Sequence, residues 1–281
     1  MPRLVLLFRY SNITYRPKKH YLPTYIIYKL ALKMFDRLSG REQIEFTTDS
    51  EDLAKEYGEM TKKTFTILPI PHIPTFQHED VTHQNSKQET TFVYMGEIRE
   101  DKGYYLLPEA IRFVFSKNKM SKIRFIIQSN LRTYRGKQVI QAKKELLTSG
   151  KDVVMIDRIL GINEYYDLMS QADAVLIPYR AGEYYGYYAR TSGIFAEALA
   201  LGKAVIIPRD TWMERQLSKY GGGGVTFEDN DPVSLGQAML SFLEKKYDHK
   251  KRAVECAKKW VGYHNARSYV DILMDFARRC E

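Results

Sequence analysis

The chain has 281 residues, 44% of them hydrophobic and 27% charged, which excludes a disordered or fibrous chain and supplies apolar surface for one large or two ordinary domains. No window approaches 18 uninterrupted apolar residues, and MPRLVLLFRY is interrupted at Arg9, so neither a membrane span nor a signal peptide is expected and the chain reads as a soluble, cytoplasmic protein. The formal net charge is +9, and the two cysteines, Cys256 and Cys280, have no Cys or His beside them at metal spacing, which argues against a disulfide framework or a zinc site and leaves two idle thiols.

The positive charge is concentrated near the start. Residues 1–41 hold nine Lys or Arg against the single acid Asp36, and the rest of the chain is close to neutral. LVLLF reads as a first strand. HYLPTYIIYKLALKMFDRL then spaces Leu22, Ile26, Ile27, Leu30, Met34 and Phe35 at helical intervals, with Lys29, Lys33 and Arg37 one turn apart on another face. Such a basic amphipathic helix has two readings: its apolar face packs on a sheet, or residues 16–41 lie on an anionic membrane surface. IEFTTDS is a strand whose Asp49 or Ser50 can cap the helix EDLAKEYGEM, and TFTILPIPH is a short strand stopped by prolines.

HEDVTHQNSKQETT lacks apolar periodicity and reads as a linker, so the expected division is a partial domain over 1–80, a linker over 81–90, a second domain over 91–248 and C-terminal helices over 249–281. From TFVYMG onward strands and helices alternate regularly: IRFIIQS, DVVMID, AVLIPY, AVIIP and GVTF complete six strands with a helix after each, the pattern of a doubly wound α/β unit. The tail is helical and amphipathic through Ala253, Ala257, Trp260, Val261, Val270, Ile272, Leu273 and Phe276.

In such a domain ligands bind beyond the carboxyl ends of the strands. The first of these turns, MGEIREDKG, offers Gly96 for close backbone approach and two cations, Arg99 and Lys102, near a helix start, which suits a diphosphate. The turn after the fourth strand places Arg190, Thr191, Ser192 and Gly193 ahead of a helix, an anion site or a plain Ser192 N-cap. Glu197 lies one helical turn beyond Gly193 in an otherwise apolar run. Phe195 holds the position that a capping-box acid would take, so Glu197 needs another partner: a sugar's vicinal hydroxyls, or a Lys or Arg of the same chain.

The order MGEIREDKG, VVMIDRILGINEYYDLMSQADAVLIPY, SGIFAEALALGKAVIIP resembles the donor-binding half of retaining family-4 glycosyltransferases (glycosyl transferases group 1) of GT-B fold, from about Thr91 to Leu243. TTDSEDLAKEYGEMTKKTFTILPIPH resembles the end of that family's first domain. The resemblance implies an α/β, GT-B-like fold with a complete Rossmann-like C-terminal domain and a partial, shortened N-terminal one. It implies a transferase that moves a sugar from a nucleotide-diphospho-sugar to an acceptor hydroxyl with retention, in glycan or cell-surface polysaccharide synthesis. Lys102 would bind the diphosphate with Gly96, Arg99 and Arg190 beside it, Ser192 and Gly193 would present backbone N–H groups, and Glu197 would hold the donor ribose. No metal or cofactor is expected, and no catalytic residue is assigned.

The chain departs from that family at several places. Ala189 stands where the first acid of the paired-glutamate motif E-x7-E falls, and Glu97 stands where an Arg commonly follows the first glycine. The first domain has room for about three strands, without the glycine-rich acceptor loop or the cleft histidine of many relatives; His20 and His72 fall in no matching motif. The expected acceptor is a glycan or a lipid-linked hydroxyl. The alternatives are a non-catalytic nucleotide-sugar-binding module that needs a partner chain or a second copy, and a nucleic-acid-binding protein, which clustering of the cations on one helix disfavours.

Overall fold

The computed structural model describes residues 4–9, 22–38, 44–72, 89–118, 121–130, 136–182 and 186–278. Arg3, Arg16, Lys18, Lys19, His20, Arg41, most of the expected linker and Cys280 lie outside the described residues. Two compact units emerge: the first comprises residues 1–73, 182–192 and 261–281, the second residues 74–181 and 193–260.

The first unit is built on a three-stranded parallel sheet, β1 (Leu4–Phe8), β2 (Ile44–Thr48) and β3 (Thr66–Ile67), paired in that order. Helix α1 (Leu22–Leu38) crosses from β1 to β2, and α2 (Glu51–Thr61) from β2 to β3. Ser50 starts α2 as its N-cap, accepting the Leu53 N–H. Phe8, Phe46, Tyr57 and Phe65 meet ring to ring at 5.0–6.1 Å between centroids and, with Leu32 and Leu53, form this unit's core. On α1 the packing face differs from the expected one. Leu32 is buried, whereas Ile26, Ile27, Leu30 and Met34 are exposed, so those four residues do not pack on a sheet. Helix α10 (Ala266–Arg278) belongs to the same unit and buries Phe276 while Val270 stays exposed, so Val270 is not on its packed face.

The second unit is a six-stranded parallel sheet of β4 (Glu89–Tyr94), β5 (Lys122–Gln128), β6 (Val153–Ile156), β7 (Ala174–Leu176), β8 (Ala204–Pro208) and β9 (Gly224–Phe227), ordered β6-β5-β4-β7-β8-β9. This is the order of a doubly wound Rossmann-like sheet, and strand order reverses between β4 and β7. β4 starts at Glu89, two residues ahead of the expected strand TFVY. The helices between strands are α3 (Leu107–Lys117), α4 (Lys137–Leu147), α5 (Ile162–Gln171), α6 (Gly193–Ala200) and α7 (Trp212–Tyr220), followed by α8 (Pro232–Glu244) and α9 (Lys246–Tyr263).

Because helices cover both faces, the central strands are apolar throughout rather than alternating; all five residues of β8 are buried. One face packs Phe92, Phe125 and Phe242 with Leu107, Val114 and Met239, and elsewhere in the unit Phe195, Trp212 and Trp260 meet edge to face at 5.6–6.3 Å. Local signals set the ends: Thr211 caps α7 and Gly221, at φ +68°, stops it, while Asp231 accepts two N–H bonds ahead of Pro232 to start α8. Cys256 is a buried thiol whose pKa burial pushes up to about 11, in keeping with a packing role.

Candidate functional site

In the second unit the strand order reverses between β4 and β7, and in doubly wound sheets ligands bind beyond the carboxyl ends of the strands at such a switch point. The turn after β4 begins with Gly96 at φ +107°, a conformation open to glycine, and its N–H donates to Gln128 Oε1 at 2.7 Å. A methyl group there would lie 3.4 Å from the Lys102 ammonium and 3.8 Å from Ile194 Cδ1, so three expected or adjoining site residues converge on one bare stretch of backbone. Gly103, at φ +62°, follows Lys102. A Cβ on Gly103 would fall 1.8 Å from the Pro178 carbonyl oxygen, so the turn carrying Lys102 is wedged against the chain leaving β7. Tyr179, the next residue there, is buried and takes the Lys102 ammonium over its ring at 5.3 Å.

Helix α6 points its amino end at the same region. Gly193 is exposed, and a Cβ added to it would meet nothing within 4 Å, so the helix start is open at this side, where the first N–H groups have no partner within the helix. A lysine, a glycine turn and an open helix start together form a setting for phosphate oxygens.

Glu197 sits one turn into α6, half-buried. Among the described residues it makes no ion pair with a Lys or Arg, and its Oε2 accepts the phenol of Tyr165 on α5. Burial raises its carboxyl pKa and the Tyr165 bond lowers it, with burial the larger effect. The Tyr165 phenol is itself pushed far up by burial and by the adjacent Glu197 charge, so it stays a donor. Tyr166 packs edge to face on Tyr165 at 5.4 Å, and its phenol is raised by burial and by Glu197. Tyr165, Tyr166 and Tyr179 are site neighbours that sequence reading missed. The signal for Tyr165 lay in its position four residues before Met169, the buried residue of α5, which places both on the inward face.

The remaining expected residues are placed differently. Arg99 forks onto Asp101, with Nε 2.8 Å from one oxygen and Nη2 bonded to the other, and lies 3.7 Å from Glu97, so its charge is shared with two acids of its own turn. Arg190 and Ser192 group with the first unit; Arg190 lies over the Tyr187 ring at 5.0 Å and Ser192 is buried. Ala189 is also in that unit, fully buried, and its carbonyl accepts the Ser50 hydroxyl at 2.6 Å. Thr191 donates to Asp49, which also pairs with Arg9 at 2.5 Å. His72 accepts the Ala266 N–H on its carbonyl at 3.1 Å, and burial lowers its ring pKa, a structural placement. Among the described residues no three His, Cys, Asp or Glu gather as a metal-binding group.

Residues 89–245, more than half of the chain, match the family model described as "Glycosyl transferases group 1". No curated protein matches. Among solved structures the chain is similar to a sucrose-phosphate synthase from Thermosynechococcus elongatus (TM-score 0.72, 13% identity, covering 98% of this chain and 67% of that one). It is similar also to Anabaena HepE in complex with UDP and glucose (TM-score 0.71, 11% identity, 98% and 71%). A third similar structure is a trehalose-6-phosphate synthase studied for glycosyl transfer with retention (TM-score 0.70, 10% identity, 98% and 68%). At these identities the likeness is one of fold, and it makes the architecture GT-B-like, with three described strands in the first unit.

Proposed function

The chain belongs to the glycosyl transferases group 1 family, and from that premise we propose that it is a retaining, family-4-like glycosyltransferase that moves a sugar from a nucleotide-diphospho-sugar to an acceptor hydroxyl. One observation carries the reading: the Lys102 ammonium stands over the bare backbone of Gly96 beside the open start of α6, with Glu197 one turn further in. Lys102 and the first N–H groups of α6 meet the diphosphate, whose negative charge grows as the bond to the sugar breaks, so these donors stabilise the transition state more than the ground state. Glu197, oriented by Tyr165, uses its remaining lone pairs for the ribose hydroxyls. Donor roles for Arg99, Arg190 and Ser192 rest on the sequence resemblance.

UDP-sugars are the first donors to test, since the similar HepE was solved with UDP-glucose. The acceptor is a glycan or a lipid-linked hydroxyl, which places the protein in glycan or cell-surface polysaccharide synthesis on the cytoplasmic side. No described helix is long and apolar enough to cross a membrane.

Ala189 supports a second reading. A buried methyl group and a carbonyl committed to Ser50 occupy the place of the family's first acid, so the chain can bind a nucleotide-sugar without completing the transfer, and a partner chain would then supply the rest. Thermal unfolding with UDP-, GDP- and ADP-sugars tests both. One donor at about a hundred times its Kd should add about 2.7 kcal/mol to stability, and the gain should vanish in Lys102→Ala. If no donor shifts the transition, the donor-site reading is wrong; if one does but the purified chain neither hydrolyses nor transfers the sugar, the second reading holds.

A further inference from the structure

Helix α1 turns an apolar row away from its own core. Leu32 is 6% exposed, while Ile26, Ile27, Leu30 and Met34 stand 45%, 63%, 55% and 60% exposed. At about 3.6 residues per turn, Ile26, Leu30 and Met34 form one row with Ile27 beside it, and Lys29, Lys33 and Arg37 form the adjoining row, of which Lys33 and Arg37 are exposed. Single exposed leucines are ordinary on a protein surface. Four large apolar side chains in one strip, bordered by cations, are not.

The chemistry of the strip selects its occupant. Helix α1 itself carries Lys29, Lys33 and Arg37 against the single acid Asp36, so its charge favours an anionic surface over a neutral one. A bilayer with acidic headgroups offers apolar depth to Ile27, Leu30 and Met34, and phosphate and carboxylate groups at the level where the flexible stems of Lys33 and Arg37 end. We infer that the outward face of α1 is a docking surface for anionic lipid bilayers, with Ile26, Ile27, Leu30 and Met34 entering the interface and Lys33 and Arg37 at its rim. So short a strip binds reversibly, and more weakly as salt rises. This docking is independent of the donor-site reading, and each can fail without the other.

The test is co-sedimentation of the full chain with phosphatidylcholine vesicles, with and without phosphatidylserine. The chain should pellet with the phosphatidylserine vesicles only, and less at high salt. Leu30→Ser with Met34→Ser should lower the partition about tenfold. Lys33→Glu with Arg37→Glu should abolish the preference for phosphatidylserine, given about fivefold for each cation lost. All four side chains are exposed, so both variants should keep the wild-type unfolding temperature, which is measured alongside. A wild-type chain that stays in the supernatant overturns the inference, as does equal binding to both vesicle types that neither variant changes. A dimer in light scattering that Leu30→Ser with Met34→Ser dissociates, without vesicle binding, assigns the strip to a second copy of the chain and also overturns it.

Discussion

The Tyr165 phenol donates to Glu197 Oε2, and this bond settles how an apolar helix tolerates a carboxylate. Buried acids without a donor drift toward the neutral form. Here burial raises the Glu197 pKa and Tyr165 acts against it. Tyr165→Phe removes that opposition, so Glu197 takes up its proton at a higher pH than in the wild type. A protonated carboxyl is the poorer acceptor for two ribose hydroxyls. Nucleotide affinity measured by calorimetry from acid to neutral pH should therefore fall about tenfold at neutral pH, in line with one lost hydrogen bond to a charged group. Its acid limb should also move upward. A uniform loss at every pH would assign Tyr165 to packing alone.

Two glycines of the candidate site should respond in opposite ways. Gly103→Ala places a methyl group 1.8 Å from the Pro178 carbonyl oxygen at a φ of +62°, and should cost about 3 kcal/mol of stability in urea unfolding. Gly193→Ala meets no atom within 4 Å at a helix start, where alanine replaces the least favourable ordinary helix residue; stability should hold or rise by up to about 1 kcal/mol. Affinity for the nucleotide diphosphate should nevertheless fall if the diphosphate approaches the α6 start over the bare Gly193. An unchanged affinity in Gly193→Ala would move the anion site elsewhere.

Asp173 tests the frame at the opposite, amino end of the same central strands. It accepts the Thr91 N–H at 2.9 Å and both Lys246 and Lys250 at 2.9 and 2.8 Å, joining the start of α9 to the amino ends of the central strands β4 and β7. Burial alone would raise its pKa, but the bonds from Lys250, Thr91 and Lys246 together outweigh burial and hold it below the usual carboxylate range. A lowered folded pKa means that this stabilisation is present above the ordinary carboxylate pKa, about 3.9, and is lost as pH falls through the lower folded value. Asp173→Asn should cost about 3 kcal/mol at neutral pH, since it removes the carboxylate charge that two half-buried ammonium groups share. Its stability should also depend less on pH in the acid range than that of the wild type.

His249 gives a second pH signature at milder acidity. Its Nδ1 accepts the Gly224 N–H at 3.2 Å and its ring stacks on Phe242 at 5.5 Å, an arrangement that requires the neutral ring. Burial, then the Arg252 charge, lowers its pKa below the ordinary 6.5. The unfolded chain thus binds the proton more readily, so stability is complete above about pH 6.5 and declines as pH falls from there toward the lower folded value. His249→Gln should flatten that decline in a series of thermal unfolding curves between neutral and mildly acid pH, and an unaltered slope would assign the titration to another group.

Much of the fold was legible in the chain itself because its signals are local. The runs AVIIP and TFVY have the continuous apolar character of strands covered on both faces, Ser50 and Thr211 are capping residues beside helical periodicity, and six such strands in alternation with helices specify a doubly wound sheet. Gly96, Lys102 and Gly193 could be singled out because they fall in the strand-to-helix turns where doubly wound domains bind ligands, and Glu197 because a carboxylate in an apolar helix needs a partner.

What only the tertiary structure decided was the pairing of groups distant along the chain. Periodicity identified an apolar face on α1 but not which face meets the core, since that depends on where the chain places Phe46, Leu53, Tyr57 and Phe65, the cluster that Leu32 joins. Glu197 advertised its need for a partner, yet Tyr165 lies 32 residues away on another helix, and only the packing of α5 against the sheet brings the phenol within reach. Local chemistry along a chain states what each residue requires; the fold, through the sum of its apolar contacts, determines which neighbour supplies it.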